Sequence, residues 1–213
     1  EAVAKFAAIR EAVGSGILTV AASDRTVDLT PVPGVRLEYY LGEIGIVAAD
    51  GTTRIRAQGV SLTKGDRVLT EAQAQAQLSV NAFSRIDIGE FSEVRLDLIA
   101  EKENDKTVTG VFQKSGTCWY KLTYTAPGQL FRVAVAGGVI TVAGNGADFV
   151  AEMQEPGMAI HVLSGLLLVE NPLTSESINL IAGQTALIFG DERPFQVGNL
   201  SMETSPGERF GKL

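Results

Sequence analysis

The sequence predicts an all-β protein: a multi-stranded antiparallel β-sandwich or short β-roll, with a short N-terminal helix and an extended arm. Three observations predict it. Apolar and polar residues alternate in short runs along most of the chain, the period-2 signature of half-buried strands. These runs are cut at Gly-Asp, Asp-Gly and Asn positions that suit tight turns. The composition, 23 glycines against 7 prolines, supplies many positions that accept positive φ, as a multi-hairpin chain requires.

Residues Glu1–Val13 form the one helical pattern. Phe6, Ile9 and Val13 recur at spacings of three and four, flanked by Val3 and Ala7, so one apolar stripe results. Gly14-Ser15-Gly16 then ends the helix, because glycine supplies the left-handed cap and a joint. About three turns of helix are marginal alone in water, so this one must pack on something. Next, Ile17–Ala22 reads as an apolar strand, followed by a polar stretch through Asp24, Arg25 and Asp28. Pro31 and Pro33 break the chain before Val35–Tyr40, which alternates. Gly16–Gly34 is therefore an expected extended arm, carrying a strand's worth of apolar side chains with no hairpin partner beside it. Phe6, Ile9, Val13, Ile17, Leu18 and Val20 are the candidate partner-binding residues.

From Leu41 the strands come regularly. GEIGIVAA meets the Asp50-Gly51 turn signal and TTRIRAQ returns. Gly65-Asp66 marks another turn before RVLT, and Gln77–Val80 and Arg85–Ile88 flank a turn near Asn81. Glu93–Ile99 alternates cleanly, and Glu101–Lys106 reads as a charged loop tip. VTGVFQ and TCWYKLTYT flank Lys114-Ser115-Gly116 as an expected hairpin. In the second half Leu130–Val135, Val139–Val142, Asp148–Met153, Met158–Leu163, Leu166–Glu170 and Thr185–Phe189 read as strands. After Gly190 alternation is lost and an irregular tail is expected. The domain plan is a helix and arm over 1–41, a β-domain over 42–190 and a tail over 191–213.

Chemistry-bearing residues are scarce. A net charge of −7 argues against nucleic acid and against docking on an anionic membrane. No apolar run reaches the ~18 residues of a membrane helix. Cys118 is the single cysteine, so no intramolecular disulfide forms, and its strand setting suits a small buried hydrophobe. His161 is the single histidine; it shares a strand face with Ala159 and Leu163 and reads as a hydrogen-bonded structural histidine. No zinc-ligand spacing and no nucleophile elbow accompany it, so neither metal, cofactor nor catalytic triad is expected. Glu43, Asp66, Asp87, Glu90, Glu93 and Asp97 occupy turns or alternating strand positions and single out no acid–base pair. Gly144-Asn145-Gly146 precedes a strand rather than a helix, so it reads as a tight turn and not as a phosphate cradle.

Against this background, Leu62, Gly65, Asp66 and Thr70, then Ile88, Gly89, Ser92, Glu93 and Val94, form a pattern that resembles the FecR-type (iron-dicitrate sensor) periplasmic domain. LFRVAVAGGVITVAGNGADFVAEM, Val162–Val169 and Leu180–Gln184 resemble that family's later segments in the same order, so the resemblance spans residues 42–189. Asn145-Gly146-Ala147 stands where the family has Arg-Gly-Thr, and the first 41 residues find no counterpart. What the resemblance implies is a non-catalytic, extracytoplasmic β-domain, periplasmic or at the cell surface.

Two function classes follow as expectations. The first is a structural or assembly module that associates with other copies through β surfaces and its N-terminal arm, up to a self-assembling filament subunit. The second is a FecR-type envelope regulator that binds a receptor partner. A carboxylate-based glycan hydrolase, the enzyme alternative, finds the least support.

Overall fold

A computed structural model describes residues 19–22, 25–28, 34–81, 83–123, 128–143 and 145–200. The chain separates into two compact units, residues 1–33 and 34–213. Among the described residues every regular element is a strand, so the all-β class holds. The expected helix over Glu1–Val13 lies outside the described residues, as do Phe6, Ile9, Val13, Ile17 and Leu18.

In the first unit β1 (Thr19–Ala22) pairs antiparallel with β2 (Arg25–Asp28), from Thr19 opposite Asp28 to Ala22 opposite Arg25. This corrects the expectation of an arm strand without a hairpin partner. The stretch around Arg25 looked like a loop because it does not alternate. Thr26 and Val27 nevertheless favour the extended backbone. Val20, the one candidate partner-binding residue in the described part, sits in this ribbon opposite Val27.

The second unit holds, in chain order, β3 (Val35–Leu41), β4 (Ile44–Val47), β5 (Val60–Leu62), β6 (Arg67–Thr70), β7 (Gln75–Ser79), β8 (Ser84–Ile88), β9 (Glu93–Glu103) and β10 (Lys106–Ser115). β11 (Thr117–Leu122), β12 (Gln129–Val135), β13 (Gly138–Ala143), β14 (Ala147–Gln154), β15 (Gly157–Glu170), β16 (Ser177–Ile181), β17 (Gln184–Phe189) and β18 (Gln196–Asn199) follow. They form one 16-stranded sheet made of two ladders that share β15. The first ladder runs β5-β3-β7-β8-β11-β14-β15-β17-β18, and the second runs β4-β6-β9-β10-β12-β13-β15-β16. β15 belongs to both: Gly157–Gly165 pairs with β14, whereas Leu166–Glu170 pairs with β16. Every pairing is antiparallel except β10 with β12.

Each ladder buries one face in a single apolar cluster. Leu37, Leu78, Ile86, Tyr120, Phe149 and Ile160 come from the first ladder; Ile46, Val68, Leu96, Val133, Ile140 and Val169 come from the second. Burying a side chain of this size contributes about 1.5–3 kcal/mol. The strict alternation of β6, β7, β11 and β12 in burial follows from that one-sided packing.

Several expectations need correction. β3 is not part of the arm: Val35 and Leu37 are buried and the strand pairs with β5 and β7. Lys114-Ser115-Gly116 does not close a hairpin, because β10 lies in the second ladder and β11 in the first, where it pairs with β8 and β14. Glu101–Lys106 is not a loop tip but the end of a long β9–β10 hairpin, turned at Asn104 and Asp105 with φ of 48° and 63°, the signature of a type I′ turn. Met158–Leu163 and Leu166–Glu170 are one 14-residue strand. Within the expected irregular tail, Gln196–Asn199 forms β18 against β17. The Asp50-Gly51 turn is present, with Gly51 N–H donating to Ala48 O at 2.9 Å, but its return reaches only an isolated bridge between Val47 and Thr53.

Candidate functional site

The residues that carry the family resemblance turn out to build corners. Asp66 is 1% exposed; its carboxylate accepts the Thr63 N–H at 2.8 Å and pairs with the Arg54 guanidinium. Arg54 also donates to Ser61 O at 3.1 Å, so the passage from β5 to β6 is tied at three points. Thr70 Oγ1 donates to Gly89 O at 2.6 Å and accepts the Ser92 N–H at 2.9 Å. Ser92 Oγ in turn accepts the Thr117 N–H at 3.1 Å. Buried Gln113 donates to Gly116 O and Ala151 O, both at 3.0 Å, while Tyr120 OH donates to Gln113 Oε1 at 3.0 Å. This chain of satisfied buried polar groups welds the two ladders where the backbone crosses between them.

The chemistry gathers elsewhere, on the outward face of the first ladder. There one register row crosses seven strands: Gln77 opposite Asp87, Asp87 opposite Trp119, Trp119 opposite Val150, Val150 opposite His161, His161 opposite Thr185, and Thr185 opposite Gly198. The lone tryptophan, the lone histidine and a buried carboxylate thus share one line. Asp87, its side chain 2% exposed, accepts from Gln77 Nε2 at 2.8 Å and pairs with Lys121 Nζ at 3.0 Å and Arg85 Nε at 3.4 Å. Lys121 Nζ also lies 3.4 Å from the Trp119 ring centroid, and Trp119 Nε1 donates to Asp148. A buried carboxylate facing two cations and an amide is well compensated.

Further along the row, Thr185 Oγ1 lies 3.0 Å from His161 Nδ1, and Glu152 Oε2 stands 4.0 Å from His161 Nε2. The reading of His161 as a hydrogen-bonded structural histidine agrees with this placement. A groove of about 490 Å³ opens here, with Val150, Ala159 and Leu187 against its base and Glu152, His161 and Thr185 beside them. Val150 and Ala159 are 1% and 2% exposed although they face outward. The groove therefore combines an apolar base with hydroxyl, imidazole and carboxylate groups, which suits hydrogen bonding and apolar contact together.

The other acidic residues are scattered. Glu93 bridges Arg67 at 3.3 Å and Lys114 at 2.9 Å, Asp97 pairs with Arg95 at 2.5 Å, and Glu90 accepts the Gln73 N–H at 2.7 Å. The hydrogen bond and charge of Lys114 hold the Glu93 carboxyl below its ordinary range. Burial pushes the thiol of Cys118, on the inner face, upward. Among the described residues no three His, Cys, Asp or Glu side chains converge as a metal site would need. Asp148, Glu152 and Thr185 were not singled out in the sequence. Thr185 stands in the row itself and Asp148 and Glu152 flank it two residues either side of Val150, placements that depend on register between strands and that no local pattern displays.

No family model matches the chain, and no curated protein matches it. Solved structures do. Two crystal structures of a "putative anti-sigma factor" from Parabacteroides distasonis ATCC 8503 superpose with a TM-score of 0.51 each, at 15% and 14% sequence identity. The matches cover 67% and 64% of this chain, and 62% and 61% of those chains. The protein thus spans about three fifths of the length of the structures it matches. At such identity the likeness establishes a shared β-fold.

Proposed function

We propose that this chain is the β-domain of an envelope signalling regulator of the FecR kind, a non-catalytic module that binds a protein partner outside the cytoplasm. The observation that carries the reading is the fold shared with the Parabacteroides distasonis protein described as an anti-sigma factor. The FecR-like segments over residues 42–189 support it independently. The two ladders pack face to face in this reading, as a sandwich or short roll around the common core. The outward groove beside His161 and Glu152 is its binding surface, because it sets hydroxyl, imidazole and carboxylate groups beside apolar Val150, Ala159 and Leu187.

The assembly-module reading rested on an arm strand without a partner. β1 pairs with β2, so that motive is gone and the regulator reading is preferred. Two measurements test it. The full gene is expected to encode a membrane span before this segment; a cleavable signal peptide alone in that place argues against the proposal. Deleting the segment in its native gene and sequencing total RNA is expected to change a discrete set of transcripts. An unchanged transcript profile rejects the regulator.

A further inference from the structure

The second ladder ends at β16, which pairs on one side with β15. Among the described residues the fold leaves edges at β5 and β18 in the first ladder and at β4 and β16 in the second. Natural sheets blunt their edges, and three of these are blunted. The outer side of β4 is covered by its own turn, with Ala48 N–H donating to Thr52 O and Arg54 N–H to Ile46 O, both at 2.8 Å. β5 is three residues long, and the β3 edge beyond it is bulged between Leu37 and Tyr39. β18 is four residues long and interrupted by Gly198. β16 has no such protection: Ser177-Ile178-Asn179-Leu180-Ile181 contains no charge, proline or glycine, and it pairs with β15 in unbroken register.

The direction of its free backbone groups follows from the bonds it makes. Asn171 N–H donates to Glu176 O at 2.8 Å, whereas Ile181 N–H donates to Gln184 Oε1 at 3.0 Å instead of to β15. Antiparallel pairs alternate between bonded and non-bonded. Ser177, Asn179 and Ile181 therefore direct N–H and C=O away from β15, and among the described residues only the Ile181 N–H of these finds a partner.

We infer that β16 pairs antiparallel with β16 of a second copy about a two-fold axis at Asn179. That register is self-complementary. Asn179 faces Asn179, and its N–H and C=O close the central pair of hydrogen bonds. Ile178 faces Leu180, extending the apolar layer that both already join, and Ser177 faces Ile181. The charge balance favours this occupant over a basic strand from another protein. The edge carries no carboxylate, and neighbouring Glu176 already accepts the Phe195 N–H at 3.2 Å. An uncharged edge also lets two chains of net charge −7 approach there. Five residues per edge bury well under the ~800 Å² per partner of a standard interface, so the dimer is weak and reversible. The inference stands apart from the regulator reading, since neither needs the other.

Sedimentation velocity of the full chain, from about 10 µM to about 1 mM, tests it. A monomer–dimer equilibrium with a midpoint on the order of 100 µM is expected. Asn179→Lys sets like charges against each other across the axis and is expected to weaken dimerisation at least ~10-fold, with an unchanged thermal melt. Gln184→Ala uncaps the Ile181 N–H and is expected to tighten it about 3-fold. A wild-type chain that stays monomeric throughout overturns the proposal. So does an open-ended series of larger species, or an Asn179→Lys variant that folds and dimerises as wild type. If Asn179→Lys fails to fold, the Gln184→Ala variant decides, and no tightening overturns it.

Discussion

Gly116 backs directly onto Ser92: a methyl group built on Gly116 would stand 2.6 Å from Ser92 Cβ, and the glycine holds a φ of 78°. This contact sits where β10 leaves the second ladder and β11 enters the first, and Ser92 Oγ accepts the Thr117 N–H beside it. Both the close approach and the backbone conformation exclude a side chain. Gly116→Ala is expected to destabilise the domain by about 3 kcal/mol or more. A urea titration checks this through the midpoint at constant slope. A midpoint equal to wild type shows that the corner yields freely and that the weld is not structural.

The same corner shows what the sequence could and could not display. Alternation in Thr117–Leu122 announces a strand with one buried face, and the structure buries Cys118, Tyr120 and Leu122 as that pattern demands. Alternation says nothing about which ladder receives the strand. Lys114-Ser115-Gly116 therefore read as a hairpin, when it is a crossing. Met158–Leu163 and Leu166–Glu170 read as two strands for a related reason. Gly165 has a φ of 86°, and Ala147 Cα lies 2.8 Å from where its Cβ would be. It marks the place where β15 passes from one ladder to the other, not a turn between two strands. β16 went unread as a strand because Ser177 and Asn179 dilute its apolar pattern on an exposed edge. The outward row from Gln77 to Thr185 was illegible for a stronger reason: its members are spread over more than a hundred residues and meet only through register.

Asp66 provides a second test. Its buried carboxylate pairs with Arg54, whose side chain is 29% exposed, and accepts the Thr63 N–H. Asp66→Asn keeps the acceptor for Thr63 and removes the charge that Arg54 faces. A loss of about 2 kcal/mol is expected, below the range for fully buried pairs because Arg54 reaches solvent. Chemical denaturation measures it. Arg54→Met should recover part of the loss in the Asp66→Asn background, since no unpaired guanidinium remains. Strict additivity of the two changes rejects the pairing as the cause.

Glu93 sets a pH dependence. Lys114 and Arg67 hold its folded pKa below the ordinary 4.5. The unfolded chain therefore binds a proton at higher pH than the folded chain does. The resulting stabilisation is fully present above about pH 4.5 and is lost as the pH falls through the depressed folded value. Glu93→Gln is expected to flatten that part of the acid limb and leave the neutral side unchanged in slope. Stability measured by urea at a series of pH values from neutral to strongly acidic checks it. An unaltered acid limb would mean that the two cations do not hold the carboxylate in the folded state.

Cys118 reports on global opening. It lies on the inner face of β11, opposite Ile88 on one side and Ala151 on the other, and is fully buried. Burial raises the thiol pKa, so the reactive thiolate is suppressed as well as covered. An aromatic disulfide reagent near pH 8 is expected to leave the native chain unlabelled on the timescale in which a denatured sample reacts completely. Labelling should then proceed only through unfolding. For a domain of ordinary stability, on the order of 8 kcal/mol, this slows it by about 10⁵- to 10⁶-fold. The rate should rise in parallel with each destabilising variant above, by the factor its midpoint shift implies. Rapid labelling of the native chain, with no change in Gly116→Ala, would place Cys118 at the surface and refute the two-ladder core around it.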